Sequence, residues 1–388
     1  GSQNVAVGAF ALDANTTASN NTAFGYAALT ANTTGTQNVA VGANALDAAD
    51  TNNNTAVGFE AMTNSTASEC VAVGSRALKA HTSGARNSAL GSEAATAVTT
   101  ADDITAIGRS SLAACTTGSS NTALGSKSLM ANTTGGSNVA VGANALNANT
   151  TANNNTAVGY QSLLSNTTGN NNLAMGREAM SVNTTGDNNT AIGSQALDAN
   201  TTADNNTAVG RSALGANTTG TSNTAVGKGC LDANTTANNN TGVGQSALSG
   251  NTTGASNTAM GSGALENNTT ASNNTAFGNF ALGVNTTGAN NVAVGPGALD
   301  ANTTGSSNNA LGVDALGAAT TADANNAFGR RALNSCTTGG GNSAFGHDSG
   351  KEITTGSNNV LLGSDAGRSS SPSGSITTGS NNVVLGNN

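Results

Sequence analysis

A glycine returns every 17 residues along almost the whole chain, and this period constrains the fold more than any other property of the sequence. The glycine that closes each Asn-Thr-Ala-Val-Gly-like segment occurs 23 times, from Gly8 through Gly142 and Gly244 to Gly386. Of the 22 intervals between these glycines, 19 are 17 residues, two are 16 and the last is 23. The unit reads Asn-Thr-Ala-Val-Gly-x-x-Ala-Leu-x-Ala-Asn-Thr-Thr-Gly-x-x. A fixed period of this kind is the signature of a solenoid, whose units bury their apolar faces against their neighbours. The glycines and the Asn-Thr-Thr-Gly cluster leave no stretch long enough for a stable helix. Short strands separated by turns fit. The expected fold is therefore all-β, a parallel β-solenoid of the β-roll or β-helix kind with one 17-residue repeat per coil.

Each column of the repeat has a physical reading. The residue before the glycine is large and apolar in all 23 copies, as at Val41, Val141 and Val209. The residue before that is Ala in 20 copies, which marks a place with no room for more. Four positions after the glycine stands Leu or Met in most copies, as at Leu46, Leu146 and Leu214. The pre-glycine and Leu columns are the expected structural core. The glycine itself is expected at a corner with φ > 0 or at a close backbone approach. Asn stands four residues before the glycine in 21 copies, among them Asn21, Asn38, Asn138, Asn206 and Asn274; Cys70 and Ile104 interrupt it. A second Asn column precedes Thr-Thr, as at Asn32, Asn132 and Asn217. Stacked Asn side chains are expected to hydrogen-bond along the stack and satisfy turn backbone.

Composition agrees with a thin core. The 388 residues include 51 Gly, 2 Pro, no Trp and 8% charged residues. Ordering a chain costs about 1–2 kcal/mol per residue in backbone entropy, and too few large side chains are present for a thick interior. Yet 36% of residues are hydrophobic and recur at fixed positions, unlike a disordered chain. The net charge of −8 is thinly spread. Without a basic stripe there is no electrostatic footprint for nucleic acid, and no apolar run reaches the ~18 residues of a membrane helix.

In a strand, the residues one and three before the glycine share a face opposite the Ala. If the Ala lines the coil, the pre-glycine column needs another surface to bury it, and a trimer axis would supply one. The competing assignment turns that column inward in a monomeric coil, with the Ala outside.

The Asn-x-Ala-aliphatic-Gly core with its following Ala resembles the head repeats of trimeric autotransporter adhesins. The longer form, with Asn-Thr-Thr-Gly, is still more similar to the repeat shafts of bacteriophage tail fibres. Residues 338–363 and 377–386 look like closing repeats of such a shaft. The resemblance covers essentially the whole chain. It implies a left-handed β-roll, a homotrimer, an extracellular location on a virion or cell surface, and a partner such as a surface receptor or glycan. The 17-residue period departs from the shorter adhesin repeat, which puts the coil shape in doubt.

Chemistry is sparse. His81 and His347 stand alone in their repeats, and His81, in the Asn column before the turn, reads as a surface-turn substitution. Cys70, Cys115, Cys230 and Cys336 lie in separate repeats without metal-like spacing and read as small-residue replacements. Asp13, Asp47, Asp198, Asp232 and Asp300 follow the Leu column; a calcium ladder is conceivable, but Thr, Lys, Ser and Gly fill the column elsewhere and a solvated face fits better. No catalytic constellation, cofactor site or metal site is expected, and the chain reads as a non-enzyme.

The continuous solenoid is expected over 1–368, a loop insertion over 369–376 and a final repeat over 377–388. The repeats between Gly42 and Gly108 hold both 16-residue intervals and both broken Asn positions, which suggests a bend or local loosening. The chain begins inside a repeat and ends just after one, as a segment of a longer protein would; Gly1 and Ser2 also suit a tag remnant. The function expected is a rigid fibre or adhesin segment, a phage tail-fibre shaft above all, that spaces or presents a binding part. The alternatives are an autotransporter-type adhesin head and an ice-binding Thr-ladder solenoid. A β-helical carbohydrate-processing enzyme lacks its acidic cluster.

Overall fold

The computed structural model describes residues 1–370 and 374–386. Two compact units divide the chain, residues 1–191 and 192–388. Neither contains a helix among the described residues, and each is a parallel β-solenoid.

In unit 1, eleven three-residue strands run from Val5–Val7 to Leu173–Met175, and in unit 2 eleven run from Thr207–Val209 to Val383–Leu385; the strand Thr190–Ile192 carries the division. Within each unit the strand residues pair with their repeat equivalents in the next coil, as Thr122 with Val139 in unit 1 and Thr207 with Thr224 in unit 2. A parallel ladder needs a crossover between strands, and here the rest of each coil supplies it.

The Gly142 coil shows how the backbone is satisfied. Val139, Leu146 and Ala148 donate their N–H groups to Asn155, Ser162 and Leu164 of the following coil at 2.8, 3.0 and 3.0 Å. Gly142 and Asn144 donate to Leu124 and Ser126 of the preceding one at 2.8 and 3.0 Å. This alternation follows from the dihedral angles. Gly142 has φ +131°, and a Cβ there would stand 2.5 Å from the Gly159 oxygen, so both readings of the glycine column hold. Asn144 and Leu146 follow with φ 57° and 52°. The Ala145 N–H closes on the Gly142 carbonyl at 3.2 Å, a turn whose third residue has φ > 0 and so belongs to type II. In the Gly244 coil the next turn, Ser249 to Ser246 at 3.3 Å, has Leu248 third with φ 54°.

Left-handed backbone at a non-glycine residue costs roughly 1–2 kcal/mol. Burying a Leu side chain returns about 1.5–3 kcal/mol, and Leu146 and Leu248 are wholly buried. The interior of the regular coils is otherwise mostly Ala and Asn, as at Ala140, Ala145, Asn138 and Asn149.

The two short coils of unit 1 lose a residue from the Thr-Thr corner. In regular coils one carbonyl serves that corner: Thr150 O accepts from Thr133 N at 2.8 Å and Thr134 N at 3.2 Å. In the Gly42 coil the side chain of Asp50 replaces it. Its Oδ1 accepts from the N–H groups of Thr33, Thr34 and Gly35 at 2.9, 2.6 and 2.9 Å. Strand register passes through both short coils unbroken, with Val39 opposite Thr55 and Thr55 opposite Val71. The irregularity between Gly42 and Gly108 is thus taken up at the corner, and the ladder itself has no gap.

Near the end of unit 2, Val360 pairs with Val383 across the longer interval. Within the expected loop 369–376, residues 371–373 lie outside the described set, as do 387–388 of the final repeat. The loop's two ends meet at one carboxylate: Ser369 N and Ser375 Oγ both donate to Glu352 Oε2, at 3.1 and 2.7 Å.

Candidate functional surface

In each unit, the outer face of the strands is an extended surface whose chemistry calls for a partner. Ala occupies the middle of most strands and points inward, so the residues on either side point out. Val41, Val141 and Val209 therefore do not belong to the interior: they are half-buried on the outer face, while Leu46, Leu146 and Leu214 are wholly buried. The pleat fixes this correction, because an interior that holds Ala at one position must exclude its two neighbours. Phe24 is 56% exposed, Leu90 49% and Met175 41% in unit 1; Phe345 and Leu362 are each 42% exposed in unit 2. Phe328 and Phe345 stack on this face with ring centroids 4.9 Å apart. Monomeric proteins rarely leave so long a row of large apolar groups in water.

The Asn columns are structural. Asn21, Asn38, Asn138, Asn206 and Asn274 are wholly buried. Asn138 Nδ2 donates to Ala152 O at 2.8 Å, and its Oδ1 accepts the Asn155 N–H at 2.9 Å. Asn21, Asn206 and Asn274 repeat the donor contact to Gly35, Gly220 and Gly288, and Asn38 makes it to Thr51. The second Asn column braces the same carbonyl: Gly135 O accepts from both Asn121 and Asn132, at 2.8 and 2.9 Å. Asn149 Nδ2 then donates to Asn132 Oδ1 at 2.8 Å, which links successive coils.

His81 occupies this second column and is wholly buried, not a surface substitution. Its Nδ1 lies 3.0 Å from Ser65 Oγ and its Nε2 3.0 Å from Asn87 Nδ2. Burial holds its pKa below the usual imidazole value. The column faces inward whatever residue fills it, and the regularity of that column was the signal for a buried histidine. The four cysteines are buried and unpaired. Cys115 and Cys336 take the Asn role, with Sγ donating to Gly118 O and Gly339 O at 3.3 and 3.2 Å. Burial pushes the Cys336 thiol up to about 11 and that of Cys230 up to about 12, which suppresses the reactive thiolate.

His347, Asp348 and Asp365 come close enough to offer three ligand atoms to a cation. Arg331, Arg368 and Lys351 already surround Asp348, at 2.8, 3.1 and 3.6 Å. The site reads as an ion-pair cluster that neutralises a buried carboxylate. Of the carboxylates after the Leu column, burial raises the pKa of Asp232 and Asp300. The corner threonines spend their hydroxyls internally, as Thr133 Oγ1 does on Thr150 O at 3.0 Å. No pocket opens among the described residues, and no helix is long and apolar enough to cross a membrane. Compared with family models and with curated proteins, the chain matches none.

Proposed function

We propose that the protein is a structural, non-enzymatic element: a stiff segment of an extracellular fibre or adhesin, of which a phage tail-fibre shaft is the favoured kind. In this reading it spaces or presents a part that binds a surface receptor or glycan. Support comes from the repeat fold, in which backbone N–H groups and the Asn columns hydrogen-bond successive coils to one another. A structure so uniform resists local deformation, and no pocket for a substrate opens among its described residues.

The observation that carries the reading is the outer apolar column. Three copies of the chain, each turning this face to a common axis, would bury it. Replacing Val209 and Val226 by Lys tests this. Both side chains are at the outer face, so each chain should keep its fold and its far-UV circular dichroism while its mass in solution drops to that of one chain. A pair of substitutions that leaves self-association unchanged would overturn the reading.

A further inference from the structure

The second Asn column is interrupted for five successive coils of unit 1, at Ala49, Ser65, His81, Val98 and Cys115. At its centre His81 is held by groups whose donor and acceptor roles are fixed. Asn87 Oδ1 accepts the Ile104 N–H at 3.1 Å, so its other terminal atom is the NH2 group. That group donates to Ala101 O at 2.7 Å and to His81 Nε2 at 3.0 Å. Nε2 is therefore the bare nitrogen, and Nδ1 carries the proton it donates to Ser65 Oγ, which also accepts the Ala67 N–H at 3.2 Å. A second proton on the ring would set two donors against each other in a site closed to water.

We propose that the His81 coil is an acid-sensitive latch, closed while the imidazole is neutral and released when it is protonated. Burial outweighs the two groups that favour the cation, the Gly84 carbonyl first and the Asp102 carboxylate after it. Asp102 is the one carboxylate whose field favours it, and its Oδ1 is engaged by the Ala85 N–H at 2.7 Å. Glu69 is exposed, and Arg86 and Asp103 pair with each other at 2.6 Å on the surface. Cys70, whose Sγ lies 3.5 Å from Gly84 O, is kept a neutral thiol by burial. A histidine with a folded pKa below its unfolded value of about 6.5 supports folding fully above that pH and progressively less below it. Asp50, whose carboxyl is held far below the usual range, would act only at far lower pH.

The test is amide hydrogen exchange on the whole chain, corrected for intrinsic rates, from about pH 7.5 to about pH 5. Protection over residues 65–104 should fall about tenfold or more while other coils of unit 1 hold theirs. His81→Asn restores the repeat residue and should remove that dependence. Unchanged protection, or an equal loss in His81→Asn, would overturn the proposal. Imidazole nitrogen chemical shifts of the unaltered protein provide a second reading that needs no variant. His81 should keep the Nδ1-protonated neutral form until the coil opens. Ordinary titration of His81 with protection intact would also overturn it.

Discussion

Cys230 and Gly242 divide one space between adjacent coils of unit 2: a Cβ on Gly242 would lie 2.5 Å from Cys230 Sγ. Cys230 stands in a column that is mostly Ala, and Gly242 stands where 20 of the 23 strands have Ala. One residue gained an atom and the other lost one. Gly242→Ala alone should overpack the site and cost about 1–3 kcal/mol. In Cys230→Ala/Gly242→Ala the repeat is regular again, and the double variant should be more stable than the sum of the single changes. Denaturant midpoints of the three variants form the cycle that measures this coupling.

Asn302 Oδ1 is buried with no hydrogen-bond partner. In regular coils the next Asn of the column donates to it, but here Ala319 occupies that position. Ala319→Asn should supply the donor and stabilise unit 2 by about 1 kcal/mol, read as a rise in the denaturant midpoint. The same gap leaves Asn32 Oδ1 unpaired opposite Ala49.

Leu146 is wholly buried with φ 52°. Its replacement by Met, which occurs naturally at Met62 and Met180, should cost less than about 1.5 kcal/mol. Leu146→Ile has the same volume, but its branched Cβ conflicts with left-handed backbone, and it should cost about 2 kcal/mol more. Equal stability of the Met and Ile variants by thermal or chemical unfolding would count against the turn assignment.

Hydrogen bonds from Thr33 and then Thr34 hold the Asp50 carboxyl well below the usual carboxylate range. Its contribution is fully present above the unfolded value of about 3.9 and is lost as pH falls through the lower folded value. Because Asp50 is exposed, Asp50→Ala should cost only about 1 kcal/mol near neutrality. The difference from the unaltered protein should stay level from about pH 8 to about pH 5 and shrink below about pH 4. Stability measured across that range checks the sign.

These residues show what the sequence discloses. The period announces the coil, and Asn138 and Leu146 announce themselves as regular columns. The conformation of Leu146 was hidden because leucine is a poor left-handed residue. A signal existed, since no β-branched residue occupies the Leu column while Val and Ile crowd the pre-glycine one. Val41 was counted with the core, yet its face stayed open, because hydrophobicity alone does not say which face of a strand is inside. His81 was misread because Thr-Thr-Gly-like corners look like surface loops, although their preceding residue points inward. Asp50 was unreadable as a carbonyl substitute until the lost residue of its coil could be located at the corner.

Sedimentation equilibrium of the unaltered chain at micromolar concentration tests the central claim most directly. A structural segment that covers its outer apolar column with further copies should sediment at three times the 37.2 kDa of one chain. A single-chain mass across that concentration range would contradict it.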